Sequence, residues 1–194
     1  KAVVLGRSAL HDRDEEEVRG YRNALKWIHE KKPPVSEKTI LELHNLARGK
    51  IGNAEQYKKK DSDIIERYAD GTYSVRFKTV PASETPKQMK ELISQWQEIT
   101  STTQIHRLIC LAAFNLDFLC IHPFRDGNGR ASRLFLLLQL YHLGYEVGRY
   151  ISLERLIEEN KVRYYETLKL SSEGWHEGKH DPWPYANYLL YILK

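Results

Sequence analysis

What this chain lacks narrows its function before any motif is read. It has only two cysteines, Cys110 and Cys120, both inside apolar helical sequence. That excludes a disulfide scaffold and fits buried free thiols in a reducing compartment, so the expected location is cytoplasmic. Neither cysteine has the His/Asn context of a nucleophile. No apolar run reaches the roughly 18–20 residues that a membrane span needs. The most apolar stretch, 134–143, is interrupted by Gln139 and His142 and reads as a buried helix. There is no signal-peptide or lipidation pattern, no internal repeat and no low-complexity segment. A net charge of +4 with scattered lysines is too weak to argue for nucleic acid as a partner. The run Lys58-Lys59-Lys60 reads as a solvated loop.

What is present is ordinary globular composition, 41% apolar and 29% charged over 194 residues, enough for a single domain with a proper core. The chain starts at Lys1 and stops at Lys194 inside an amphipathic pattern, so the expectation is one core domain, 1–194, cut from a longer protein. The periodicity is helical almost throughout, and the expected class is an all-α bundle. Val18, Tyr21, Leu25 and Ile28 recur at helical spacing until Pro33-Pro34. Ser36 is an N-cap for a second helix. A third carries Met89, Leu92, Ile93 and Trp96, and a fourth runs from about Thr103 to Cys120. A buried helix spans Asn128 to His142, with shorter ones near 152–159 and 161–171 and a last one after Pro184. Residues 63–79 break the pattern: two alternating runs flank Asp70-Gly71, which predicts one β-hairpin. Two strands alone are not stable, so this hairpin must lean on the helices.

The richest stretch is 122–133, His-Pro-Phe-Arg-Asp-Gly-Asn-Gly-Arg-Ala-Ser-Arg. It joins two apolar helices through a glycine loop. A helix N-terminus behind such a loop favours anions through its free N–H groups and dipole. Arg130 and Arg133 are three apart and share one helix face. Asp126 stands one turn earlier, where a carboxylate caps a helix or holds a hard cation such as Mg²⁺. His122 titrates near working pH and is the base candidate. Base, cation, oxyanion cradle and two guanidiniums are the parts needed for phosphoryl or nucleotidyl transfer.

This segment resembles the signature of the Fic family, His-x-Phe-x-Asp/Glu-Gly-Asn-Gly-Arg-x-x-Arg, with all eight fixed positions filled. The likeness extends to Glu15-Glu-Glu-Val-Arg-Gly-Tyr-Arg-Asn-Ala-Leu25 within 15–29, to 70–89, to Tyr164-Tyr165 and to Gly174-Trp175-His176. It implies a Fic-type helical bundle and Mg²⁺-dependent transfer of AMP from ATP to a Tyr, Thr or Ser hydroxyl of a target protein. His122 would be the catalytic base and Asp126 the metal ligand. Gly127, Asn128, Gly129, Arg130 and Arg133 would hold the phosphates. Tyr164 would lie against the base, and Arg76, Phe77, Lys78 and Thr79 would touch the nucleotide. The 63–79 hairpin would be a flap that binds a protein substrate by strand pairing. Two rivals stay open: a Fic-fold transferase of phosphate or another nucleotide-derived group, and a nucleotide-sensing binding module with little turnover.

Many Fic proteins carry an inhibitory helix, Ser/Thr-x-x-x-Glu-Gly/Asn, whose glutamate pairs with the second motif arginine. Residues 1–194 hold no full match: Ser94 to Glu98 has the spacing, but Ile99 fails the last position. The expectation is that Arg133 has no acidic partner in this chain, and that the inhibitory helix lies outside 1–194 or on a partner. His176, His180 and Asp181 invite a zinc reading, but Gly174, Gly178 and Pro182 argue against the helix it needs.

Overall fold

The computed structural model describes residues 9–49, 56–68, 70–102, 104–146, 148, 150 and 152–194. The expectations placed on Lys1 and Thr103 fall outside these. Within them the order is α1 (Ala9–Lys31), α2 (Glu37–Arg48), β1 (Ile64–Arg67), β2 (Tyr73–Phe77), α3 (Thr85–Thr102), α4 (Arg107–Ile121), α5 (Asn128–His142), α6 (Leu153–Glu159), α7 (Lys161–Ser172) and α8 (Trp183–Ile192). Ser36 caps α2, its hydroxyl accepting from Thr39 N–H. α8 begins at Trp183 rather than after Pro184, because proline is tolerated in a helix's first turn.

α5 is the centre. Leu134, Phe135, Leu136, Leu138 and Leu140 are all buried, on every side of the helix. A helix apolar all round belongs inside a bundle, and α1, α2, α4 and α6 pack around it. α4 adds Phe114, Phe118 and Ile121, and α8 adds Tyr185, Tyr188 and Leu189. Three elements meet at buried Asn115: its amide donates to Ser132 O at 3.2 Å, and its Oδ1 accepts from the Tyr185 hydroxyl at 2.6 Å. On the other side α1 crosses α2 at Gly20. A Cβ there would stand 2.5 Å from Leu46 O, so only glycine permits this approach.

The hairpin is antiparallel, with Ile65 opposite Val75, Glu66 opposite Ser74 and Arg67 opposite Tyr73, and a register shift between Ile64 and Ile65. Asp70 Oδ1 accepts from Thr72 N–H at 2.9 Å, and Gly71 has φ 83°. Its open end is tied to the helices. Arg76 Nη2 donates to Tyr165 O at 2.6 Å, and His176 Nε2 donates to Lys78 O at 2.6 Å. The His176 ring stacks on Phe77, and the neighbouring Trp175 donates to Asp117 Oδ1 at 2.7 Å. The 173–178 segment forms turns that clamp β2, and among the described residues no His/Cys/Asp/Glu cluster suits a metal ion.

Candidate functional site

α4 ends where proline follows. The residue before proline is pushed out of the right-handed helical region, and His122 adopts the left-handed one, φ 53° and ψ 61°. Its N–H donates to Phe118 O at 3.0 Å, closing the helix. This turn swings the imidazole onto the wall of a cavity of about 390 Å³. Nδ1 is shut off from solvent, and the Leu119 backbone hydrogen-bonds to the ring. Burial first, and the Lys58 charge second, push the imidazole pKa down to about 4.

That depression carries a sign. Unfolding returns His122 to its ordinary value near 6.5, so the unfolded chain takes up a proton between about 6.5 and 4 that the folded chain does not. Above pH 6.5 the group is neutral in both states. Below it, stability is expected to fall toward pH 4 by about 3 kcal/mol from this residue. Urea unfolding at about pH 7.5 and about pH 4.5, on wild type and His122→Gln, checks this. Equal pH dependence in the two proteins would contradict it.

The loop after His122 is held from beneath. Phe124 is fully buried and stacks on His44, ring centroids 3.7 Å apart. His44 Nε2 also lies 2.8 Å from Asp126 O. The buried Asn128 side chain clasps Phe124 twice, accepting from its N–H at 2.8 Å and donating to its carbonyl at 2.7 Å. The Asn128 amide group is therefore structural, and a phosphate would meet its backbone. Gly127 precedes α5 at φ 83°, a conformation side chains resist. Phe124→Ala is expected to lower stability by about 3–5 kcal/mol and to slacken the loop, read by urea unfolding; a loss below about 1 kcal/mol would mean that the stack is not what anchors it.

The arginines are not free. Arg130 Nη1 pairs with Glu17 of α1 at 2.7 Å, and Arg133 Nε with Glu154 of α6 at 2.6 Å. The second corrects the expectation that Arg133 lacks an acidic partner in the chain. Glu154 is 21 residues away in sequence, and α6 folding back against α5 brings it there. The pair is an ion pair by distance, with the Nε–H not aimed at the oxygen. It leaves the Nη edge toward the loop, since a Cβ on Gly129 would stand 3.1 Å from Arg133 Nη1. Asp126 is also engaged: Oδ1 accepts from Gly127 N–H at 2.7 Å, and Oδ2 pairs with Arg48 at 2.5 Å. Burial raises its pKa, but Arg48 and the Gly127 N–H outweigh that and hold it below the usual carboxylate value.

The cavity lies between the hairpin and α4, α5 and α7. Of the residues expected at a site, it is lined by His122, Gly129, Arg133, Tyr164, Arg76 and Phe77. Tyr164 is only 4% exposed, packed on Tyr185 and Tyr188 with a hydrogen bond to Arg133, and burial pushes its pKa up to about 12. It braces the arginine more than it offers a free ring face. Lys78 lies off the cavity wall with its carbonyl held by His176, and Thr79 is buried, its hydroxyl donating to Ser62 O at 3.1 Å. The Thr79 hydroxyl also accepts from Lys58 Nζ at 2.8 Å, so its hydrogen bonds are made inside the protein. Gly127, Asn128, Asp126 and Arg130 stand on the loop and helix start beside the cavity rather than on its wall.

Sequence reasoning missed Arg48, Glu17, Glu154 and Lys58. The first three are long-range ion-pair partners with no local signal. Lys58 is the reverse of a solvated residue: it is 5% exposed, and its Nζ donates to Thr79 Oγ1 at 2.8 Å and to Ile121 O at 3.2 Å.

Comparison with known proteins gives the site a context. The model described as "Fic/DOC family" matches residues 34–140. The chain is 26% identical over 177 residues to protein adenylyltransferase fic-1 of Caenorhabditis elegans, covering 89% of this chain and 31% of that protein. It is 26% identical over 161 residues to protein adenylyltransferase Fic of Drosophila ananassae, covering 81% of this chain and 29% of that protein. It thus spans about a third of the length of the curated relatives it matches. Among solved structures, a Fic family protein from Desulfovibrio desulfuricans superposes with TM-score 0.76 at 27% identity, covering 99% of this chain and 55% of that one. A Fic domain-containing signaling protein from Bacteroides thetaiotaomicron, at 24% identity and TM-score 0.71, shares the fold over 97% of this chain and 68% of its own.

Proposed function

This chain belongs to the Fic/DOC family, and from that premise we propose that it is a protein adenylyltransferase, moving AMP from ATP to a Tyr, Thr or Ser hydroxyl of another protein. The observation that carries the reading is the shared cavity wall of His122, Gly129 and Arg133. His122 Nε2 accepts the hydroxyl proton as the target oxygen forms its bond to the α-phosphorus. The bond from that phosphorus to the bridging oxygen breaks, and pyrophosphate leaves. A neutral imidazole at working pH is the form that accepts a proton, and burial beside Lys58 favours it. The Arg133 Nη edge and the N–H groups of Gly127, Asn128 and Gly129 hold the leaving phosphates, and Arg130 contributes once it exchanges Glu17 for phosphate.

Asp126 fits Mg²⁺ only in part. It is one half-exposed carboxylate at a helix start, and among the described residues it belongs to no group of three or more His, Cys, Asp or Glu side chains that could hold a metal ion. Mg²⁺ tolerates this, since it keeps several waters and shares its shell with substrate phosphates. Bound there, the ion would neutralise phosphate charge, and Arg48 would have to release the carboxylate.

The exposed Ile65, Tyr73 and Val75 on the hairpin support its role as the strand to which a target peptide pairs. The test is incubation with ATP, Mg²⁺ and native lysate, followed by mass spectrometry. Modified protein with the mass of AMP supports the proposal. Phosphate mass supports the phosphotransferase rival, and binding without any adduct supports the sensing module.

A further inference from the structure

We propose that Lys58 is a positioning residue for His122, its buried ammonium tying the turn that carries the imidazole to the exit of the hairpin and fixing a positive charge close to the ring. The inference rests on His122 acting as the base. The geometry carries it. The Lys58 N–H donates to Pro123 O at 2.8 Å, while the same residue's Nζ donates to Ile121 O at 3.2 Å. The two carbonyls flank His122, so one residue grips the left-handed turn from both sides. A non-glycine residue in that region is strained and persists only where its surroundings hold it. Nζ also donates to Thr79 Oγ1 at 2.8 Å. Thr79 in turn donates through its hydroxyl to Ser62 O and through its N–H to Asp63 Oδ1. Lys58 thereby joins the base, the hairpin exit and the loop before β1.

A lysine so deeply buried needs a reason, since burial disfavours its charged form. Burial does push its pKa down, and Asp61 and Asp63 pull it back up. Packing alone would be served by methionine. The charge adds something that packing does not: it opposes protonation of the neighbouring imidazole. Other groups face the same space. Asp126, on the same loop, favours the imidazolium. Arg125, also on that loop, lines the cavity with Asp63, Arg76 of β2, Arg133 of α5 and Lys169 of α7, as do Cys120, Tyr164 and Tyr165. Of these charged groups, Lys58 is the one whose Nζ is bonded to the backbone of the His122 turn.

The experiment is NMR titration of the His122 imidazole in wild type, K58Q, K58M and K58R, with the acid limb of the pH–rate profile followed in parallel. Gln keeps a donor for the two oxygens and deletes the charge. Met deletes both, and Arg keeps the charge. The wild-type midpoint should lie well below the ordinary value. K58Q and K58M should raise it by about one unit or more, an order of magnitude in the proton equilibrium, and K58R should restore it. The acid limb of activity should shift the same way. An ordinary wild-type midpoint, or unchanged midpoints in K58Q and K58M, overturns the proposal. If neither neutral variant folds, K58R decides: a midpoint held low supports it, and a return to the ordinary value overturns it. Because the titration needs no turnover, a chain without transferase activity would sink the adenylyltransferase reading and still leave Lys58 tested.

Discussion

His122→Ala should abolish AMP transfer while leaving ATP binding and the fold in place. The expected loss is at least about 10²-fold, the usual share of a general base. Among the described residues lining the cavity, His122 is the one histidine. Alanine at a residue with φ 53° remains strained, so thermal unfolding must be measured beside activity. Binding should survive, since the groups proposed to hold phosphate are backbone N–H groups and arginines elsewhere on the loop and helix. Wild-type labelling at saturating ATP would remove His122 from the mechanism.

The next largest effect is expected from Asp126→Ala. Transfer should fall by about 10²-fold or more, the equivalent of the several kcal/mol that a metal supplies to charge stabilisation, and ATP binding should lose its dependence on Mg²⁺. Calorimetric titration with and without Mg²⁺ reads this directly. The Arg48 pair at 2.5 Å complicates Asp126→Ala alone, because alanine also frees a guanidinium that attracts phosphate. Arg48→Met separates the two: it should keep the Mg²⁺ dependence and strengthen it, since the carboxylate no longer has to exchange one cation for another. An unchanged metal effect in Asp126→Ala would place the ion elsewhere.

The helices were legible because their signals are local. Ser36 caps a helix by a contact over three residues, and Asp70-Gly71 turns a hairpin through a contact over two. The bounds of α5, Asn128 to His142, follow from a glycine loop at one end and the loss of apolar residues at the other. The place of Asn128 on the loop was plain, but not that its side chain closes the turn on Phe124. Nothing local shows that Tyr164 packs on Tyr185 and Tyr188, or that Thr79 is a buried link to Lys58. Nothing local separates Lys58 from Lys59 and Lys60, because burial depends on which segment covers the residue.

By itself the sequence determined the helical class, the hairpin, the family through eight positions in fixed register, and the residue types able to take a proton and hold phosphate. Such features depend on spacing along the chain, which periodicity and turn chemistry encode directly. Tertiary structure alone decided the state of those groups. Arg130 meets Glu17, Arg133 meets Glu154, Asp126 meets Arg48, and Lys58 is sealed against the turn that carries His122. Each pairing spans at least 21 positions of sequence, and charge–charge energy depends on distance and burial in space, which no stretch of the chain specifies until the helices have packed.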